Sequence, residues 1–94
     1  MNIQHRCITF RVMGKVQGVW FRAYVRDNAL SLNIDGWVKN DPDGSVFGEA
    51  LGSETNIEQF THILREGSPS SRVEDVIIKE NTEKGKLPNF EIRF

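Results

Sequence analysis

The sequence predicts an α+β sandwich, a single β-sheet with two helices packed on one of its faces. Three observations carry this. Several short stretches alternate apolar and polar residues, as half-buried strands do. Two stretches instead repeat apolar residues at three- and four-residue intervals, as amphipathic helices do. Their order is strand, helix, strand, strand, helix, strand. At 94 residues, positions 1–94 make one small domain with one core, and no internal repeat or linker divides them.

The first strand runs from His5 to Met13, with Ile8, Phe10 and Val12 on one face and Cys7, Thr9 and Arg11 on the other. A glycine-bearing loop follows. Phe21, Val25, Ala29 and Leu32 then form a helical stripe, and Asn33 suits a left-handed helix end. Ile34 to Asn40 reads as a second strand and Ser45 to Leu51 as a third. Between them, Asp41-Pro42-Asp43-Gly44 forms a turn in which proline pre-sets φ and glycine accepts a positive one, so residues 34–51 are a hairpin. Thr55-Asn56-Ile57-Glu58 has capping-box spacing and opens a second helix with Ile57, Phe60, Ile63 and Leu64 on its stripe. Gly67 and Pro69 stop it. Val73 to Glu80 is a fourth strand, Asn81 to Asn89 a polar loop, and Phe90, Ile92 and Phe94 alternate as a short last strand.

Each helix crosses between strands, and right-handed crossovers place both helices on the same face. The expected topology is the ferredoxin-like βαββαβ sandwich, with an antiparallel sheet and one open face. In that topology the first strand is central, and its C-terminal end delivers the glycine loop to the first helix.

Bulk composition excludes several classes. The net charge of −1 provides no basic field to draw nucleic acid or anionic lipid. The one cysteine, Cys7, has no partner for an internal disulfide, and no nearby residue lowers its pKa, so it reads as a spectator thiol. Met1 to Arg6 lacks the apolar core of a signal peptide and no apolar run is long enough to cross a membrane, so a cytoplasmic setting is expected. His5 and His62, the only histidines, lack metal-ligand spacing.

The stretch with the most chemistry is Val12-Met13-Gly14-Lys15-Val16-Gln17-Gly18-Val19-Trp20-Phe21-Arg22. A backbone turning sharply into a helix N-terminus presents several unpaired N–H groups together, and Arg22 adds a planar, always-charged fork. An anion cradle over residues 14–22 is one reading; a tight strand-to-helix connection with a surface arginine is the other. The loop is neither a Walker-type phosphate loop nor the dinucleotide fingerprint. Asn40, at the end of the second strand, could simply start the turn after it.

Taken together, the residues resemble the acylphosphatase family. The resemblance rests on Gly14-Lys15-Val16-Gln17-Gly18-Val19-Trp20-Phe21-Arg22 and on Gly36-Trp37-Val38-Lys39-Asn40 with Gly44-Ser45-Val46 and Gly52. It continues through Gly67-Ser68-Pro69-Ser70-Ser71-Arg72-Val73 to Phe90-Glu91-Ile92, at a length that matches a stand-alone member. It implies hydrolysis of the mixed anhydride between a carboxylate and phosphate, with no metal and no cofactor. The family's phosphate-binding arginine falls on Arg22 and its water-orienting asparagine on Asn40. The backbone N–H groups of Gln17, Gly18, Val19, Trp20 and Phe21 would surround the phosphoryl oxygens. The partners implied are a small acyl phosphate as substrate and inorganic phosphate as product and competitive inhibitor, with no nucleic acid, no membrane and a monomeric chain.

The sequence departs from the family pattern at Trp20, where a small residue is common; an indole beside the cradle would narrow access or stack on an acyl group, and a surface aromatic covering the first helix is an equal alternative. Asn33 replaces a common glycine, but both residues accept a left-handed helix end. Lys15 reads as a solvated side chain, and Asp41 and Asp43 as turn-formers. Two other readings compete. RNA-recognition modules share the layout, and Trp37 with Phe47 could stack bases, yet the third strand lacks the basic-aromatic signature. A domain that keeps the cradle without turnover is the second, ranked lower because both Arg22 and Asn40 are present.

Overall fold

The computed structural model describes residues 5–81 and 86–94. Five strands form one sheet in the order β4-β1-β3-β2-β5. Strand β1, His5–Lys15, pairs antiparallel on both sides, with β3 (Val46–Ser53) and with β4 (Arg72–Glu80). Strand β2, Asp35–Asn40, pairs antiparallel with β3. The short β5, Glu91–Arg93, adds to β2 in parallel, with Val38 opposite Ile92.

The four-stranded antiparallel core and the ferredoxin-like order are as expected, but β5 makes the sheet mixed. The reason lies in where β4 ends. It finishes beside Ile8, at the end of the sheet where β2 begins. The chain reaches the far edge at that same end, marked by the Asp35–Asn89 bridge and the Gly36 N–H donating to the Pro88 carbonyl at 2.8 Å. The last strand can then only run alongside β2, not against it. Part of the expected polar loop, residues 82–85, lies outside the described residues.

Helix α1, Phe21–Ser31, buries Phe21, Val25 and Ala29 against the sheet. Its end is the expected one: Asn33 is left-handed (φ 55°), the Asn33 N–H donates to the Leu30 carbonyl and the Ile34 N–H to the Ala29 carbonyl. Those paired bonds, with buried Ile34 close to buried Ala29, are the Schellman arrangement. Helix α2, Glu54–Glu66, starts two residues earlier than the Thr55 motif suggests. Its cap is Ser53, whose Oγ accepts from the Asn56 N–H at 3.2 Å. Ser53 closes β3 in an extended conformation, so strand passes into helix without a loop and Thr55 falls inside the first turn. Ser53→Ala is expected to lower stability by about 1 kcal/mol, read as a lower urea midpoint at unchanged m.

The α2 stripe is Ile57, Phe60, Thr61 and Leu64, with Ile63 only half-buried. Thr61 tolerates burial because its hydroxyl donates to the Glu58 carbonyl at 2.7 Å. The core between helices and sheet includes Ile8, Phe10, Val12, Val38, Val46 and Ala50 from the strands, with Phe10 edge-on to Phe60 at 5.4 Å. Among the described residues no helix is long and apolar enough to cross a membrane.

Candidate active site

The site begins where β1 stops pairing regularly. A bulge at Met13/Gly14 shifts its register against β4. Gly14 has φ 127°, and a Cβ there would lie 2.1 Å from the Arg72 carbonyl oxygen, so no other residue fits. Beyond it, Gly18 (φ 73°) and Trp20 (φ 62°) are left-handed while Gln17, Val19 and Phe21 are not. Alternating conformations of this kind turn successive N–H groups toward one concavity, the geometry of an anion nest.

The concavity opens into the start of α1. That helix end has no side-chain cap and no acidic residue in its first turn, so its leading N–H groups keep their positive potential. Helix α2 by contrast has both Ser53 and Glu54.

Gln17 holds the loop from behind. Its Nε2 donates to the Asp41 carbonyl at 2.7 Å and the Ser45 carbonyl at 2.9 Å, clasping the mouth of the β2–β3 hairpin. Loop and hairpin, remote in sequence, are thereby held as one unit. Gln17→Ala is expected to cost about 1–2 kcal/mol of stability and to weaken inhibition by inorganic phosphate several-fold, checked by urea denaturation and by the inhibition constant.

Arg22 lies in the first turn of α1. Its Nη1 donates to the Arg93 carbonyl at 3.4 Å, and its guanidinium sits 5.0 Å from the centre of the Phe94 ring. Arg6, Arg11, Arg26 and Arg93 each pair with a carboxylate, whereas half-buried Arg22 has no such partner among the described residues. A carbonyl and a ring orient its fork without neutralising it.

Asn40 closes β2, in register with Val46 of β3 and through it with Val12 of β1, so its side chain emerges on the helix-covered face. Its Oδ1 is buried with no hydrogen-bond partner among the described residues, an arrangement that costs stability and so points to another use. Arg22 and Asn40 wall one cavity of about 470 Å³, together with Val16, Gly18, Trp20, Phe21, Ala23, Arg26, Ile92 and Phe94. Of the expected cradle residues, Gly18, Trp20, Phe21 and Arg22 reach this wall; Gln17 and Val19 do not. A larger cavity, about 660 Å³, lies at the opposite end of the sheet around Arg6, Cys7 and Asn56, far from both Arg22 and Asn40.

The other candidates lie elsewhere. Lys15 is exposed, as are His5 and His62. Burial pushes the Cys7 thiol up, and Glu49 and Glu80 add to the shift, which makes it a poor nucleophile. Trp37 and Phe47 share the open face at 5.9 Å, but Arg93 covers Trp37 at 4.8 Å and Arg11 covers Phe47 at 4.7 Å. A stacking base would have to displace those guanidinium groups. No group of three or more His, Cys, Asp or Glu among the described residues could hold a metal ion.

Asp41 and Asp43 are turn-formers, both facing Arg11. The Ser45 hydroxyl donates to Asp43 Oδ1 at 2.5 Å and the Ser45 N–H at 2.8 Å. These bonds, with Asp41 and Arg11 nearby, hold the Asp43 carboxyl below the ordinary carboxylate range. A depressed folded pKa contributes stability that is present above the unfolded value and lost as pH falls through the folded one. The turn beside Asn40 is therefore expected to stay closed until pH drops below the usual carboxylate range. Ser45→Ala should move the Asp43 titration upward, read by carbon NMR of its carboxyl.

Fold and cavity together define a ferredoxin-like α+β domain with a candidate site at an uncapped helix N-terminus. The acylphosphatase family model matches residues 8–92. An acylphosphatase of Rhizorhabdus wittichii is 46% identical over 73% of this chain and 70% of its own length. The acylphosphatase structure from Coxiella burnetii superposes with a TM-score of 0.88 at 39% identity, covering 95% of this chain and 93% of that one. The one from Bacillus subtilis gives 0.91 at 34% identity, covering 97% and 100%. The chain belongs to the acylphosphatase family.

Sequence reasoning missed Ile92, Phe94 and Arg26 as cavity walls. The alternation of Phe90, Ile92 and Phe94 marks a strand but carries no signal of where that strand docks. Arg26 was within reach, since it follows Arg22 by four residues on a helix.

Proposed function

We propose that this chain hydrolyses acyl phosphates to a carboxylate and inorganic phosphate without a metal ion, with Arg22 binding the phosphoryl group and Asn40 positioning the attacking water. The observation that carries the reading is the convergence of Arg22 and Asn40 on one cavity at the uncapped N-terminus of α1. Of the loop N–H groups, those of Gly18, Trp20 and Phe21 complete the binding of the phosphoryl oxygens.

The chemistry suits this sparse set of residues. The leaving group is a carboxylate, stable enough to depart without general-acid help. Catalysis then needs only positioning and charge stabilisation. Buried Asn40 Oδ1 accepts a hydrogen bond from water and leaves an oxygen lone pair aimed at phosphorus. A P–O bond forms to that water, the P–O bond to the acyl oxygen breaks, and the carboxylate leaves with the electron pair. The water's proton passes to a phosphoryl oxygen, since neutral Asn40 is a poor proton acceptor.

Metal independence is supported by the donor set, in which no acidic or histidine cluster lines the cavity. The lone Cys7 suits a reducing, cytoplasmic setting, and a monomer is the working unit on this reading. Inorganic phosphate is a competitive inhibitor on this reading.

The test is hydrolysis of benzoyl phosphate with and without a chelator. Equal turnover in both is the expected result. Absent hydrolysis would sink the activity, and chelator-sensitive hydrolysis would sink the metal-free mechanism.

A further inference from the structure

We propose that the side chains of Trp20 and Phe94 form a seat for the acyl group, and that this seat selects aromatic acyl phosphates over short aliphatic ones. The inference rests on the reading of Arg22 and Asn40 as the phosphoryl end of the site.

Among the described residues four large apolar side chains are exposed: Trp20 at 87%, Leu30 at 46%, Ile77 at 38% and Phe94 at 102%. The two most exposed wall the same cavity, the one that holds Arg22 and Asn40. Open aromatic surface of this kind is unfavourable in water and marks a binding surface when it gathers at one place. Trp20 is also held left-handed, a conformation strained for a bulky residue and natural for glycine. The loop geometry therefore does not call for tryptophan; the indole has another role.

Position assigns that role. The Phe94 ring lies against the Arg22 guanidinium, 5.0 Å from centroid to Cζ, so it stands next to the charge that binds phosphate. Strand β5 brings it there: Lys39 pairs with Arg93, which leaves Phe94 level with Asn40. Trp20, two residues before Arg22, lines the same cavity. A group bonded to the phosphoryl at Arg22 must project between or over these rings. The neighbouring walls Val16, Phe21, Ala23 and Ile92 are apolar, and no acidic residue lines the cavity. A planar aromatic acyl group gains stacking on both rings, whereas an acetyl methyl is too small to cover either.

The test compares kcat/KM for benzoyl phosphate and acetyl phosphate in the full chain and in two variants, Trp20→Asn and Phe94→Ala. Asparagine keeps the backbone N–H and accepts the left-handed conformation, so the loop survives the loss of the indole. Comparing the benzoyl-to-acetyl ratio across variants cancels the different intrinsic reactivities of the two anhydrides. The ratio is expected to fall about fivefold in each variant, mainly through a higher KM for benzoyl phosphate. A ratio that stays within about twofold of the parent in a variant overturns the role given to that residue. Calorimetry with phenylphosphonate and methylphosphonate separates this inference from the activity itself. If neither anhydride is hydrolysed, the functional reading fails, yet tighter binding of the phenyl compound, lost in both variants, still establishes the seat. Equal binding of the two phosphonates by the parent chain overturns it.

Discussion

Arg22→Ala is expected to lower kcat/KM for benzoyl phosphate by at least about a hundredfold, equivalent to about 3 kcal/mol of transition-state stabilisation. The size follows from the setting. Arg22 is a half-buried cation; among the described residues it has no carboxylate partner and one polar bond, to the Arg93 carbonyl, which is long at 3.4 Å. Its charge is therefore available to a phosphoryl group whose negative charge shifts as the P–O bond to the acyl oxygen breaks. Arg22→Lys should fail nearly as badly, because a compact ammonium cannot reproduce a two-pronged fork. Stability should change little in either variant, since only one weak hydrogen bond and one ring contact are lost. Near-parental turnover by either variant, measured at saturating and at low benzoyl phosphate, would remove Arg22 from the mechanism.

The second large effect concerns Asn40. Asn40→Ala is expected to lower kcat on the order of a hundredfold while inorganic phosphate continues to inhibit, because the proposed mechanism assigns phosphate binding to Arg22 and the loop N–H groups. A second signature separates positioning from mere structure. Asn40 Oδ1 is buried without a partner among the described residues, so removing it relieves a cost of about 1 kcal/mol. The variant should melt no lower than the parent chain, and a less active but equally stable protein is the mark of a residue kept for its chemistry. Loss of phosphate inhibition with kcat retained would contradict the water-positioning role, and a large fall in melting temperature would make Asn40 a structural residue.

Much of the molecule is legible in the sequence because its signals are local. Alternation at Ile8, Phe10 and Val12 marks β1, and those three residues are buried. Asn33 ends α1 in the left-handed conformation that short polar side chains accept. Pro42 and Gly44 set the hairpin turn, with the Gly44 N–H donating to the Asp41 carbonyl at 3.0 Å. The start of α2 shows the limit of such reading. Ser53 and Thr55 both precede residues able to complete a cap, and the choice went to Ser53 because β3 stays paired through it.

What the sequence by itself determines, then, is the succession of elements, the apolar faces that form the core, and the loop whose glycines permit left-handed turns. These depend on near neighbours, so short-range periodicity and conformational preference suffice to reveal them. Only the tertiary structure decides the rest. It docks β5 parallel to β2, turning an antiparallel sheet into a mixed one and setting Phe94 against Arg22. It also clasps the cradle loop to the hairpin through Gln17 and brings Arg22 and Asn40 to one cavity. Pairing between segments far apart in the chain depends on where strand ends fall in space, and no local pattern encodes that. The glycine loop at residues 14–22 permits an anion site, and the strands that pack around it supply the arginine's neighbours, the asparagine and the aromatic walls.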